Sequence, residues 1–341
     1  MLRRQLLDQA AGCAVMGAPL YASLLTAAAD DLLAGGPTAD VLAEHQDDPP
    51  ASALPLRFLA ALHRQVLTGR APALARHFPN VGGTAGIGGA WTAARELLAG
   101  HTAEIAADVR RPCQTNEPGR ATALLVGLLH VHATYGKPLR LLEFGASAGL
   151  GLQVDRYRIG TFGPAGPVLV ADPWQGPAPV GGPYEVVERR GCDPAPLDAT
   201  TDEGRLALTS SVWAEQTDRF TRLRTALAVA AAYPISVDRA SAGDWLVRRL
   251  AEPRPGVATV VWHSVVWQYL AATEKTAVEM ALREAGRRSS AESPLVHLAY
   301  EPEPGSDPVG FEFQLRATTW PGGRQAHLAQ GGAHGPPVRV R

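Results

Sequence analysis

A short segment in the middle of the chain, residues 143–149 with the sequence EFGASAG, has the residue types and spacing of a ligand-binding loop. Glu143 ends the apolar run that precedes the loop, and the small residues that follow allow the backbone to approach a ligand closely. Gly145, Ser147 and Gly149 occupy alternate positions, as in a nucleotide-type loop between a strand and a helix. The N-terminus of that helix would add free N–H groups. This pattern predicts that these four residues form the cofactor-binding surface.

The same residues fit a second chemistry. Gly-x-Ser-x-Gly is the nucleophile elbow of α/β hydrolases, in which Ser147 would attack an acyl carbon. A hydrolase places several strands and an oxyanion loop of the His-Gly-Gly type before the elbow, whereas residues 1–130 have helical patterns and contain no His-Gly pair. Glu143 is also unusual two residues before an elbow glycine. The surrounding sequence therefore favours the cofactor loop and keeps the hydrolase as the less favoured alternative.

The loop resembles, in slightly altered form, the first cofactor motif of class I S-adenosylmethionine-dependent methyltransferases. An acid at the end of the next strand typically binds the ribose hydroxyls, which assigns this role to Asp193. An inserted hairpin around residues 171–174 makes Asp172 a rival. After the third strand, the resemblance implies that Asp244 meets the adenine amino group and that Trp245 packs on the ring. Asp244 also fits the N-cap of the helix that starts there.

His263 follows a fourth predicted strand, at the carboxyl end where open α/β sheets bind ligands. Because an imidazole titrates near neutral pH, the sequence predicts a general base, with a structural hydrogen bond to neighbouring loops as the alternative. Trp267 and Tyr269 follow within six residues and either wall an acceptor pocket or belong to the core. An Asp-Pro-Pro-Tyr type motif for amino-group methylation does not follow this strand.

The segment before the first predicted strand, residues 114–120 with the sequence QTNEPGR, is a further site candidate. Thr115 or Asn116 fits the N-cap of the following helix, with Pro118 in its first turn. Resemblance to methyltransferases implies that this helix closes over the cofactor. Arg120 would then pair in bidentate fashion with the methionine carboxylate, and Asn116 would lie at the substrate pocket.

Alternating strand and helix patterns position these residues. Residues 1–130 carry apolar stripes at helical spacing, and the pattern changes near residue 138. The predicted strands are Leu139–Phe144, Val168–Ala171, Tyr184–Arg189, Ile235–Val237, Val257–Trp262, Leu295–Tyr300 and Phe311–Ala317. The predicted helices among them are Asp202–Ala232, Ala242–Glu252 and Ala272–Ala285, with a helix start at Leu150–Tyr157. This order predicts an α/β fold: a helical cap or substrate domain in residues 1–112, then a Rossmann-like, mostly parallel sheet with an antiparallel C-terminal hairpin in residues 113–341.

Composition narrows the class of partner. The chain has 341 residues, which predicts about two domains, and its 32 Lys and Arg against 33 Asp and Glu give no reason to expect nucleic acid as partner. Three widely spaced cysteines fit a reducing cytoplasm and exclude a zinc ribbon. Residues 9–29 lack charge, but their Ala-rich composition and Pro19 predict a packed helix or helix pair and no membrane contact. His130 and His132 would face different sides of a helix, so no metal site is predicted.

Four segments resemble a bacterial family known as domain of unknown function 2332: QTNEPGRA, LRLLEFGASAGLGLQVDRY, ERRGCDPAPLD and VATVVWHSVVWQYL. The resemblance runs through most of the chain, and the family is similar to class I methyltransferases in its Rossmann-like half. It implies S-adenosylmethionine as cofactor and a small-molecule acceptor. The usual Asn of the family after Gly-Leu is Gly151 here. This departure, the altered loop with Ser147 and the absence of a recognisable acceptor motif support a second hypothesis: a methyltransferase-fold protein without methyl transfer that serves as a binding or partner subunit of a biosynthetic enzyme. The expected partners besides a small molecule are another protein or a second copy of the chain.

Overall fold

The computed structural model describes residues 1–49, 52–303 and 312–341. These residues form two compact units, unit 1 and unit 2. Unit 1 comprises Met1–Thr115 and Asp202–Thr221, and unit 2 comprises Asn116–Thr201 and Arg222–Arg341. The chain therefore returns to unit 1 for residues 202–221 before it completes unit 2.

Unit 1 is built from helices whose apolar stripes face a common core. In α4 (Leu54–Leu67), the side chains of Leu54, Phe58, Leu62 and Val66 recur at every fourth position and are all buried. The other helices of this unit are α1 (Leu2–Val15), α2 (Pro19–Leu33), α3 (Pro37–Val41), α5 (Pro72–Ala75), α6 (Ala90–Gly100), α7 (Thr102–Val109) and α9 (Asp202–Ser210).

The uncharged residues 9–29 lie in α1 and α2. Pro19 stands in the first turn of α2, where a helix does not use the missing N–H. Leu20, Leu24 and Leu25 are buried in the unit 1 core. Within the described ranges, we find no helix that is both long enough and apolar enough to cross a membrane.

Unit 2 contains a mostly parallel eight-stranded sheet, in the order β10-β9-β8-β7-β6-β1-β4-β5. Its strands are β1 (Leu139–Phe144), β4 (Val186–Asp193), β5 (Val237–Arg239), β6 (Ala258–Ser264), β7 (Leu295–Pro302), β8 (Phe313–Trp320), β9 (Arg324–Gly332) and β10 (Gly335–Val340). Strands β5, β4, β1, β6 and β7 pair in parallel. Counted along the chain, these five lie in the order 3-2-1-4-5, as in doubly wound sheets.

Strand β1 is the point where this order reverses, because the chain adds β4 and β5 on one side of it and then β6 and β7 on the other. All six residues of β1 are buried, as expected for a strand covered on both faces. Helix α8 (Ala121–Tyr135) covers one face, where Gly127 packs directly on Leu298. Helices α11 (Ala242–Arg249) and α12 (Ala272–Arg288) cover the other face, around Leu142 and Phe144. Open α/β sheets bind ligands at the carboxyl end of such a reversal point.

The α/β class and the mostly parallel sheet are confirmed, and the C-terminal part is larger than the predicted hairpin. Strands β8, β9 and β10 form an antiparallel meander beside β7. The predicted strand Phe311–Ala317 overlaps β8, although Phe311 lies outside the described residues. The predicted strand Ile235–Val237 begins two residues before β5 and overlaps it at Val237, where the pairing of β5 with β4 starts.

The single helix predicted over Asp202–Ala232 is wrong. Helix α9 ends at Ser210, and α10 (Thr217–Ala232) starts after six intervening residues and continues from unit 1 into unit 2. Between them, the Glu215 carboxylate accepts the N–H groups of Leu20 and Tyr21 at 2.6 and 3.3 Å, at the start of α2. This long-range cap needs a break in the helical run that the local sequence does not indicate.

The inserted hairpin around residues 171–174 is also wrong. Strands β2 (Arg158–Ile159) and β3 (Val168–Val170) form a separate two-stranded sheet, and they pair in parallel. The chain first reverses in a tight turn, where Ile159 bridges Phe162, and then returns to run in the same direction as β2. Asp172 follows β3 and is exposed.

Candidate functional site

The loop after β1 has three residues in the left-handed region of backbone space, at alternate positions. Gly145, Ser147 and Gly149 have φ angles of 67°, 51° and 73°. Glycine adopts such angles freely, whereas the Cβ of Ser147 costs roughly 1–2 kcal/mol. At Gly145, a Cβ would also lie 2.4 Å from Val266 Cγ2, because the chain after β6 packs directly on the loop. The alternating spacing in the sequence thus corresponds to an alternating backbone conformation.

Side chains from neighbouring elements hold the N–H groups of this loop. Asp193 Oδ2 accepts the N–H of Ser147 at 3.0 Å. Asn116 Oδ1 accepts the N–H groups of Ala148 and Leu150 at 3.3 and 3.0 Å. The N–H groups of residues 146 and 149 bind main-chain carbonyls. The protein therefore uses these donors itself, and they do not form a cradle for a phosphate group.

The helix start predicted at Leu150–Tyr157 is a 3₁₀ helix, Gly151–Arg156. The expectation of free N–H groups at an α-helix N-terminus is therefore wrong. The N–H of Leu150, directly before this 3₁₀ helix, is bound to the Asn116 side chain. The chain therefore enters the segment from a turn held by Asn116 and not through a free α-helix N-terminus.

Glu143 lies beside the loop on the α8 face of the sheet and is 4% exposed. The Trp262 side chain hydrogen-bonds its carboxyl, and Oε2 is buried without a hydrogen-bond partner in the described part of the chain. Burial raises the pKa of Glu143 to about 8, against the opposing influence of that hydrogen bond and of the Arg120 charge. A Cβ at Gly151 would come within 2.7 Å of Oε1. This carboxyl is thus protonated at neutral pH and would ionise beside a cation.

Asp193 ends β4 and is 8% exposed. Besides holding Ser147, its carboxylate accepts the N–H of Ala195 at 2.9 Å through Oδ1. An ionised carboxylate has about four acceptor positions, so roughly two remain for the hydroxyls of a ligand. Asp172 lies after β3 and outside the main sheet. The structure thus places Asp193, and not its rival, beside the β1 loop.

The segment before α8 differs from the predicted cap. Glu117 is the capping residue, because its Oε1 accepts the N–H two residues further on at 2.9 Å. The prediction that Thr115 or Asn116 caps the helix is therefore wrong, since the Asn116 side chain binds the β1 loop instead. Arg120 ends the single 3₁₀ turn and donates from Nε to the Ala333 carbonyl at 2.9 Å.

Asp244 and Trp245 lie at the start of α11. Trp245 is 1% exposed and its indole N–H binds Asp238 Oδ2 at 2.8 Å, so the prediction that it packs on an adenine ring is wrong. A buried indole needs such a partner, and Asp238 supplies it inside the core. Ser241, and not Asp244, occupies the N-cap position, and its hydroxyl binds Asp244 at 3.0 Å. The Asp244 carboxylate is exposed to solvent.

His263 faces the opposite side of the sheet from Glu143. Glu143 pairs with Trp262 across β1 and β6, so the next pair, Phe144 and His263, faces α12. Their two rings stack with centroids 4.5 Å apart. His263 Nδ1 pairs with the Glu301 carboxylate at 2.8 Å. The structure therefore does not bring the predicted base to the side of the sheet that carries Glu143.

Glu301 is a candidate residue that the sequence prediction does not contain. Its Oε1 accepts the N–H groups of Val266 and Trp267 at 3.0 and 3.2 Å, in addition to His263. Although burial raises the pKa of Glu301, these hydrogen bonds and the His263 charge hold it below its ordinary value. Its place at the carboxyl end of β7 is the signal that could have identified it. Tyr269 is 66% exposed, so it is not a core aromatic, whereas Trp267 lines a cavity.

Substitutions at Ser147 are expected to change the stability of the protein, because the backbone there has a φ angle that favours glycine. Ser147→Val should unfold at lower urea concentration than Ser147→Gly, with a difference of roughly 1–3 kcal/mol. A β-branched side chain is strained at a φ of 51°, and glycine is not. Urea denaturation of both variants measures the difference, and equal stabilities would show that the loop relaxes around any residue.

A family model described as "Uncharacterized protein conserved in bacteria (DUF2332)" matches residues 3–339. No curated protein and no solved structure matches the chain.

Proposed function

This chain belongs to the family Uncharacterized protein conserved in bacteria (DUF2332), and from its β1 loop we propose that it is an S-adenosylmethionine-dependent methyltransferase acting on a small-molecule acceptor. One observation carries the proposal: three alternate left-handed residues lie at the reversal point of the sheet, where Asp193 holds the N–H group of Ser147 and Asn116 holds those of Ala148 and Leu150. In sheets of this strand order, the loop after the first strand is where a nucleotide cofactor binds.

The use of the loop's N–H groups discriminates between cofactors. A dinucleotide or a nucleoside triphosphate needs main-chain donors for its phosphates. Here the donors of Ser147, Ala148 and Leu150 are bound to side chains of the protein. S-adenosylmethionine carries a nucleoside, a sulfonium and an amino acid, but no phosphate. A loop with internally bound amides therefore favours it over the phosphate-bearing cofactors.

The buried carboxyl next to the loop supports a cationic ligand. Oε2 of Glu143 has no partner among the described residues, and an unpaired buried acceptor costs about 1–3 kcal/mol. An ammonium donor would satisfy this oxygen and favour the ionised carboxylate. The amino group of a bound methionine moiety is such a donor. The residues present therefore fit this cofactor beside Gly151, where the absence of a side chain leaves room around the Glu143 carboxyl.

The other candidate residues bind the remaining parts of the cofactor or support the loop in this proposal. Asp193 holds the ribose with its two remaining acceptor positions and braces the loop. Asp244 accepts from the adenine amino group, and Arg120 pairs with the methionine carboxylate. Asn116 positions the loop through its amide oxygen.

When bound, S-adenosylmethionine supplies an electrophilic methyl group. The contribution of the protein is then to hold the acceptor in line and to exclude water, and most of the rate comes from that orientation. The near-zero net charge of the chain, −1, gives no support to a polyanionic acceptor such as a nucleic acid.

A second candidate function is that of a partner or binding subunit that keeps the fold and the cofactor but transfers no methyl group. The position of His263 favours it. The ring lies on the face opposite Glu143 and is paired with Glu301, so the predicted base is displaced from the cofactor side.

The hydrolase interpretation has less support. The Ser147 loop follows β1, which comes first along the chain among the described strands of the sheet, whereas the nucleophile elbow follows several strands. A fluorophosphonate probe checks this alternative. We expect Ser147 to stay unlabelled, and stoichiometric labelling that disappears in Ser147→Gly would establish the hydrolase.

Calorimetric titration with S-adenosylmethionine and S-adenosylhomocysteine tests the proposed function. We expect dissociation constants on the order of micromolar for the wild type. Asp193→Ala should weaken binding at least tenfold, because it removes the ribose acceptor and the brace of Ser147 together. The exposed Asp172→Ala is the matched control and should bind as the wild type does.

The result separates the candidates. Undetectable binding at millimolar cofactor would contradict both functions that use S-adenosylmethionine. Binding followed by release of S-adenosylhomocysteine with an acceptor supports the enzyme, while binding without turnover, even with an authentic acceptor, supports the partner subunit.

A further inference from the structure

A cavity of about 430 Å³ lies on the α12 face of the sheet, over β6, β7 and β8. His297, Ala299 and Glu301 of β7 and Gln314 of β8 form its floor. Its size is within the range of small-molecule sites. The residues that we assign to the cofactor lie elsewhere, so the cavity is a separate site, and its ligand is inferred independently of the proposed function.

Two polar atoms of this cavity are buried and lack a hydrogen-bond partner within the described ranges: Nε2 of His297 and Oε2 of Glu301. Neighbouring groups hold both side chains in place. The His263 ring stacks on the His297 ring at 5.1 Å, and His263 Nδ1 binds the other carboxylate oxygen of Glu301. A ligand that bonds to both atoms recovers the cost of leaving them unpaired.

The charged side chains around the cavity are paired with one another. Arg316 binds Glu303 at 3.1 Å, and Arg283 lies 3.6 Å from Glu279. The Glu301 carboxylate faces His263. An anionic or cationic ligand would have to compete with these pairs, so the lining favours an uncharged ligand.

The remaining wall is aromatic, because Trp267 and Trp320 line the same cavity. Burial, together with the nearby His263 charge, lowers the pKa of His297 to about 3, so its ring is neutral. A neutral imidazole with its proton on Nε2 donates one hydrogen bond there. The cavity thus offers flat apolar surface, one donor and one acceptor.

We propose that this cavity binds a phenol, with its ring against Trp267 and Trp320 and its hydroxyl between Glu301 Oε2 and His297 Nε2. A hydroxyl is uncharged, donates through its hydrogen and accepts through the same oxygen, so in this pose it would donate to Glu301 and accept from His297. An aromatic ring without a hydroxyl leaves them unpaired, and an ammonium group cannot accept from the imidazole.

Ligand-observed NMR titrations with 4-methylphenol and its methyl ether, 4-methylanisole, test this inference. We expect the phenol to bind at least tenfold more tightly than the ether, which cannot donate to Glu301. His297→Phe should reduce the affinity for the phenol towards that for the ether. Ala299→Leu fills the cavity without removing a hydrogen-bonding side chain and should abolish the binding of both probes.

Val247→Leu, at an exposed position on α11, is the control variant and should bind both probes as the wild type does. Thermal melting verifies that each variant folds. If His297→Phe does not fold, the two probes on the wild type and on Ala299→Leu still decide the question. Equal affinities for phenol and ether, or undiminished binding to Ala299→Leu, would overturn the proposal.

Discussion

Gly145→Ala is expected to destabilise the protein by roughly 2–5 kcal/mol and to weaken the binding of S-adenosylmethionine at least tenfold. Two effects combine at this position. The φ angle of 67° is strained for alanine, and the new Cβ would lie 2.4 Å from Val266 Cγ2. Either the loop or the chain after β6 must move, and the loop is the surface on which we place the cofactor. Urea denaturation and calorimetry measure the two losses.

Gly136→Ala is the matched control for that substitution. Gly136 ends α8 with a φ of 60°, but an added Cβ there meets no atom within 4 Å. It should therefore lose only the backbone contribution, roughly 1–2 kcal/mol, and retain cofactor binding. Adding Val266→Ala to Gly145→Ala should restore part of the stability. Equal losses for the two glycine variants would contradict the close packing of Val266 on the loop.

Glu143→Gln is expected to remove a decline in stability that the wild type shows as the pH rises. Burial raises the pKa of this carboxyl from 4.5 to about 8. The folded state therefore keeps a proton that the unfolded state has lost, so stability is greatest below the lower value and falls as the pH rises through the higher one. The shift corresponds to a loss of roughly 3–5 kcal/mol between pH 4.5 and pH 8. Denaturation midpoints across this range measure it.

The exposed Glu252→Gln is the control and should keep the wild-type pH profile. A Glu143→Gln variant whose stability falls with pH as steeply as that of the wild type would show that Glu143 is not the group that titrates. The same variant tests whether the amino group of the cofactor binds as a cation beside Glu143. Titrations at pH 7 in buffers of different ionisation heat should reveal proton release when the wild type binds the cofactor, and none for Glu143→Gln.

The features that the sequence predicts best have local signals. Strand β1 has the predicted bounds, Leu139–Phe144, because a short, mostly apolar run that is followed by a Gly-rich turn is typical of a buried strand. The three left-handed residues coincide with the alternate small positions of the loop. Strands β9 and β10 are not predicted from the sequence. Residues 331–337, where β9 ends and β10 begins, include three glycines and two prolines and are typical of turns.

The relations between distant segments could not be predicted in the same way. Asn116 is a plausible helix cap locally, yet it binds the loop 34 residues further along the chain. Whether His263 shares a face with Glu143 depends on the register of β1 against β6, which tertiary packing decides. Glu301 reaches the site only because β7 pairs with β6. The composition of the loop is therefore visible in the sequence, while the supports around it are visible only in the structure.

A crystal structure of the protein grown with saturating S-adenosylhomocysteine tests the central claim most directly. We expect the nucleoside to lie against Gly145–Gly149, with ribose hydroxyls on Asp193 and the amino group within hydrogen-bonding distance of Glu143 Oε2. Ligand density at another place, or an empty loop in crystals soaked at millimolar concentration, would contradict it.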